Sequence, residues 1–117
     1  MEIIYEVAGH TLVAELFGEM DHHGAERIRT GIDEMMKNYS AKHLIFDFSK
    51  VTFMDSAGIG VILGRYRKLQ LTGGNVAVVS CSPKIRNILN MAGIFSIMEY
   101  AETKADAVEI LKGKEVS

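Results

Sequence analysis

The residues of this chain best placed to do chemistry lie in one stretch, Phe53-Met54-Asp55-Ser56-Ala57-Gly58-Ile59-Gly60-Val61-Ile62-Leu63-Gly64-Arg65-Tyr66, where an apolar strand pattern gives way to a helical one. A serine hydroxyl beside the carboxylate of Asp55 at such a junction has three uses. It can attack as a nucleophile, cap the free N–H groups of the helix start, or accept a phosphoryl group. Ser56, Gly60 and Gly64 stand four residues apart and share one helix face, whereas Ile59, Ile62, Leu63, Tyr66 and Leu69 form a stripe that predicts the core-facing side. A glycine inside a helix costs about 1 kcal/mol against alanine, so Gly60 and Gly64 forgo roughly 2 kcal/mol of a total stability of about 5–15. Two explanations offset that cost: close packing against a neighbouring helix of the same fold, or close approach by another protein.

The hydroxyl, the bare face running away from it and the carboxylate beside it describe a docking edge that modification would close. A phosphate on Ser56 adds about −1.5 to −2 charge, which the N–H groups and dipole of the helix start tolerate, so the fold is expected to survive it. A partner packed on this edge meets the dianion next to Asp55, and about 2.7 kcal/mol of repulsion and desolvation weakens binding roughly a hundredfold.

The elements that must position this edge are legible on either side. Ile3 to Val7 and Thr11 to Phe17 are β-rich runs flanking Ala8-Gly9, which predicts a hairpin. Ile28, Ile32, Met35, Met36 and Tyr39 recur at helical spacing and predict the first helix. Leu44 to Phe48, extended loosely through Phe53, reads as a buried strand, and a helix follows from Ser56 to about Leu71, closed by Thr72-Gly73-Gly74-Asn75. Val76 to Val79 is a further strand. Ser82-Pro83 then opens a third helix with Ile85, Ile88, Leu89 and Ala92 inward, and Gly93 ends it. Ile97 to Tyr100 predicts a last strand, and Thr103 with Asp106 a capping box that opens a fourth helix. The order ββαβαβαβα predicts an α/β fold with a mostly parallel sheet, right-handed crossovers and an antiparallel edge from the hairpin, in one domain over residues 1–117.

Composition bounds the partners. At 117 residues with 48% hydrophobic content, the chain suffices for one packed core. A formal net charge of −2 offers no basic footprint for nucleic-acid phosphates or anionic lipid, so direct binding to DNA, RNA or membrane is not expected. Cys81 is the only cysteine, which excludes an internal disulfide and a thiolate metal cluster and fits a reducing cytosol. The start Met1-Glu2-Ile3-Ile4-Tyr5-Glu6 lacks the basic, then apolar, run of a signal peptide. A cytoplasmic protein is expected.

Phe17-Gly18-Glu19-Met20-Asp21-His22-His23, the Phe53-Met54-Asp55-Ser56 stretch with Gly58, Gly60 and Leu63-Gly64-Arg65-Tyr66, and Ser82-Pro83 together resemble the STAS domains of the bacterial anti-anti-sigma type, over nearly the whole chain. The resemblance implies a partner-switching cycle. In it, the unphosphorylated protein binds an anti-sigma factor that is also a Ser/Thr kinase and so frees a sporulation sigma factor. The kinase uses ATP to phosphorylate the family serine, which is Ser56 here, and a metal-dependent Ser/Thr phosphatase removes the group. Nucleotide and metal belong to those partners, and no cofactor is expected of this chain. The resemblance also places Asp21, His22, Asp55, Ser56, Ala57, Gly58, Gly60 and Gly64 on the docking surface, with Asp21 beside the serine. Many relatives carry a second serine where this chain has Ala57, which leaves Ser56 the clearer acceptor. A STAS phosphoswitch of a general stress or sensory system shares every one of these features.

Other chemistries fit less well. Asp55-Ser56-Ala57-Gly58 resembles half of the nucleophile elbow of a serine hydrolase, but Met54 stands where that motif needs glycine and no histidine is tied to Ser56 by motif. Gly58, Gly60 and Gly64 depart from the dinucleotide fingerprint, in which Leu63 would have to be glycine. His22 and His23 are adjacent and lack partners at ligand spacing, so they read as surface or docking residues. Met35, Met36 and Met91 read as core filler, and Cys81 as a small buried hydrophobe.

Overall fold

The protein's structure, a computed structural model, describes residues 2–79 and 81–115. Its chain opens as a hairpin in which β1 (Glu2–Ala8) pairs antiparallel with β2 (Thr11–Met20), from Glu2 opposite Phe17 to Ala8 opposite Thr11. Gly9 and His10 make the turn, and Gly9 adopts φ +61°, a left-handed conformation that a side chain disfavours. Three further strands, β3 (His43–Met54), β4 (Val76–Val79) and β5 (Glu99–Ala101), each add in parallel to the strand before, giving the order β1-β2-β3-β4-β5. The crossovers are α1 (Ala25–Asn38), α2 (Ser56–Gln70) and α3 (Pro83–Met91), and α4 (Lys104–Glu115) follows β5.

Successive strand residues point to opposite faces, and both faces are covered along β4 and the first part of β3, so Leu44-Ile45-Phe46 and Val76–Val79 read as unbroken apolar runs. On one face Leu44, Phe46, Val76 and Val78 pack with Ile28 and Ile32 of α1, Ile62 and Leu69 of α2, and Ile85 and Leu89 of α3. On the other, Val13, Ile45, Ala77 and Val79 pack with Ala107 and Leu111 of α4. Crossovers of one hand place α1, α2 and α3 together and leave the opposite face to α4.

The expected caps form. Ser82 accepts a hydrogen bond from Ile85 N at 3.3 Å with Pro83 next to it, and Thr103 Oγ1 accepts one from Asp106 N at 3.1 Å. The expected last strand is shifted, because a 3₁₀ turn over Ile94–Ser96 uses the first residues after Gly93 and delays β5 to Glu99. Tyr39 and Ala92 fall at helix C-caps and Met91 on the last helical position of α3, so these three are exposed rather than inward.

The inward stripe of α2 is also rotated from expectation. Gly58, Val61, Ile62, Arg65 and Leu69 are buried, while Ile59, Leu63 and Tyr66 are half-buried against the edge of the same core. Arg65 is drawn in by Asp33 of α1, whose Oδ1 lies 2.9 Å from its Nε, with Lys68 at 3.4 Å from the other carboxylate oxygen. Beyond its terminal loops, α1 is thus tied to α2 by charge as well as by packing. Removing one partner of such a buried pair strands the other charge. Asp33→Ala should therefore lose about 3 kcal/mol in urea unfolding, and Arg65→Met should lose less, since it removes the buried charge itself.

Candidate docking site at the start of α2

Met20 and Met54 are partners at the ends of β2 and β3, and both are buried. One residue on, Asp55 stays extended, at φ −114° and ψ −171°, and donates its N–H to Met20 O at 3.4 Å. Its carboxylate then does two things. Oδ1 accepts from Ala57 N at 2.9 Å and Gly58 N at 3.2 Å, which caps α2. Oδ2 accepts from His22 N at 3.2 Å and lies 3.6 Å from His22 Nδ1, which ties down the loop before α1. Asp21 builds that loop from within: its Oδ1 accepts from His23 N at 3.1 Å and Gly24 N at 3.3 Å, and its carbonyl from Ala25 N at 2.9 Å.

The cap of α2 is therefore Asp55, and Ser56 is the first helical residue. The serine is exposed, and its hydroxyl makes no hydrogen bond among the described residues. Asp21, His22, Asp55 and Ser56 come together at the carboxyl end of the parallel strands, with Ala57 half-buried behind them. Gly60 is exposed and Gly64 half-buried, and a methyl group on either would meet nothing within 4 Å. Close packing inside the fold thus does not account for these two glycines. Gly58 differs and corrects the expectation that it lies on the docking surface. It is buried, and a methyl there would come within 2.5 Å of Met20 O, so its missing side chain lets α2 approach β2.

The electrostatics follow from the same hydrogen bonds. Partial burial pushes the Asp55 carboxyl upward, but the N–H groups of Gly58, His22 and Ala57 outweigh it and hold the group below its ordinary value of 3.8. The rival chemistries lose their footing here. His22 is engaged with Asp55 and not with the serine hydroxyl, and the N–H groups a pyrophosphate would use are taken by Oδ1. The His22 and His23 rings meet tilted, with centroids 4.0 Å apart, and among the described residues no group of three or more His, Cys, Asp or Glu side chains is placed to hold a metal ion. Burial pushes the half-buried Cys81 thiol up to about 12, which leaves it unreactive.

Two features escaped the sequence reading. The carboxylate that organises the site was legible, since aspartate caps as well as serine does, but its bond to His22 crosses 33 positions and leaves no local signal. His43 is fully buried, accepts from Asn75 N at 3.0 Å and has Nε2 3.2 Å from Glu115 Oε1; burial pushes its pKa down against the pull of that carboxylate.

A mixed five-strand sheet with three crossover helices on one face, and a helix start exposed at its end, defines a STAS domain, and the chain belongs to that family: the STAS domain profile matches residues 2–107. Its relatives include the anti-sigma F factor antagonist of Paenibacillus polymyxa, 34% identical over 114 residues that cover 96% of this chain and 97% of that protein. Among solved structures, the anti-sigma factor antagonist SpoIIAA in its unphosphorylated form is 31% identical with a TM-score of 0.76, over 96% of this chain and 99% of that one. The Bacillus cell fate determinant SpoIIAA in the phosphorylated form is 34% identical with a TM-score of 0.72, over 92% and 97%. No helix among the described residues is long and apolar enough to cross a membrane.

Two measurements probe this geometry. A carboxyl held below its ordinary value stabilises the fold above that value, and the contribution is lost as pH falls through the folded one. Asparagine caps without charge, so the melting-temperature advantage of the native protein over Asp55→Asn should shrink as pH is lowered from about 7 to about 3. Gly60→Ala and Gly64→Ala should each raise stability by up to about 1 kcal/mol, whereas Gly58→Ala should lower it by about 1–3 kcal/mol through overpacking.

Proposed function

We propose that this chain is a cytoplasmic anti-sigma factor antagonist whose unphosphorylated form binds an anti-sigma factor with Ser/Thr kinase activity and so releases a sporulation sigma factor. Phosphorylation of Ser56 abolishes that binding. The observation that carries the reading is the Ser56 hydroxyl, exposed and without a hydrogen-bond partner among the described residues, at the head of a helix face left bare by Gly60 and Gly64. Those glycines reduce helix stability and relieve no contact inside the fold, so their use lies with what approaches from outside. The relatives named as anti-sigma factor antagonists support the same reading.

In the switching step, Ser56 Oγ attacks the γ-phosphorus of an ATP held by the kinase. The new O–P bond forms as the bond to the β-phosphate oxygen breaks, ADP leaves, and the hydroxyl proton passes to a base of the kinase. A metal-dependent phosphatase restores the hydroxyl by hydrolysis, releasing inorganic phosphate. The scaffold takes no part in either reaction. It presents the hydroxyl on a rigid helix start and keeps a carboxylate beside it, so that the added dianion faces the partner together with Asp55.

Isothermal titration against the cognate anti-sigma factor tests this. Ser56→Ala should bind as the native protein does and take up no phosphate from ATP, and Ser56→Asp should bind at least tenfold more weakly, or about 1.4 kcal/mol. Gly64→Leu should weaken binding while leaving the melting temperature unchanged or higher. Equal affinity of native protein and Ser56→Asp would refute the switch.

A further inference from the structure

A phosphate on Ser56 would arrive at a helix start where the donors beyond the serine itself are already spent. The N–H groups of Ala57 and Gly58 belong to Asp55 Oδ1, and Ile59 N bonds to the Asp55 carbonyl at 3.1 Å. A helix N-terminus usually receives an anion through these same groups. Here the incoming dianion finds a carboxylate on two of these donors and keeps only the serine's own N–H, so further counter-charge has to come from the side.

The side chain bonded to that carboxylate is a histidine. His22 reaches the Asp55 carboxylate twice, through its main-chain N at 3.2 Å and its ring Nδ1 at 3.6 Å, both on Oδ2. The ring is 69% exposed, so it is open to a group added beside it. The charged and titratable groups around it are Asp55 from the cap of α2, Asp21 and the adjoining His23 ring from its own loop, and Glu19 and Arg27, which line the cleft beside His23. Arg27 sits on α1 with that cleft, while His22 has its backbone bonded to the residue preceding Ser56.

We propose that His22 is the cation that answers phosphorylation of Ser56: as imidazolium it carries two N–H donors, one for the Asp55 carboxylate and one for the phosphate. This rests on Ser56 being the phosphorylated residue. Two anions on one imidazole favour its charged form, so modification of the serine draws a proton onto His22 and clamps the Asp21–Gly24 loop to the start of α2. The modification thereby acts on both halves of the docking surface, although the backbone of neither needs to move.

Phosphoserine can be installed at position 56 during translation, without any kinase or partner, and the histidine rings followed by NMR across pH, with His23 as internal reference. His22 should hold its proton about tenfold more tightly in the phosphoprotein than in the unmodified chain, with a smaller change at His23. In parallel, phosphorus NMR should show the phosphate of the His22→Gln phosphoprotein keeping its second proton to higher pH than the native phosphoprotein does. Identical titration of His22 in both forms, or a phosphate indifferent to His22→Gln, overturns the proposal. Because no partner is present, either result stands apart from the partner-binding reading, which the titrations of Ser56→Ala and Ser56→Asp decide separately.

Discussion

Everything near the start of α2 depends on one carboxylate divided between two tasks. One oxygen of Asp55 satisfies the first free N–H groups of the helix, and the other holds the backbone of His22 from the loop before α1. A cap alone would fix a helix end; a tether alone would fix a loop. Joined in one side chain, they bind two separate crossovers of the sheet into a single rigid edge. Neutralising it would loosen both at once.

That arrangement also explains why the serine beside it is available. In many helices the first polar residue serves the backbone, and its oxygen is not free for anything else. Here the aspartate does that work one position earlier, and the hydroxyl of Ser56 is left facing water with no internal duty. The glycines down the same face extend the principle. Gly58 is small because β2 requires it, whereas Gly60 and Gly64 are small although nothing within the fold does. One helix thus carries two kinds of glycine with opposite meanings.

Much of this was legible before the structure. The alternation of apolar runs and amphipathic stretches sufficed for the mixed sheet, its antiparallel first strand and its four helices, because each element carries its own period and its own cap. Ser82-Pro83 and Thr103 announce helix starts by local chemistry and are found at them. The failures are of the opposite kind. The rotation of α2 about its axis was misjudged because Arg65, polar by type, is buried by an acid on another helix, and Gly58, silent as a pattern residue, is pressed against a carbonyl. The bond from Asp55 to His22 and the burial of His43 likewise depend on residues far apart in the chain. Periodicity reports on a segment's own faces; it is blind to which neighbour each face will meet.

The sheet order has a consequence of its own. Every strand lies beside the one that precedes it in the chain, so the first face of the sheet can be covered as the chain lengthens, although each parallel pairing joins distant residues, Thr11 with His43, Leu44 with Val76 and Ala77 with Glu99, and parallel sheets form slowly. The exception is the second face of the sheet, where Val13, Ile45 and Ala77 wait for Ala107 and Leu111 at the far end. During synthesis that greasy side stays open until α4 has emerged, and the interval before it docks is when the sheet can stick to other chains.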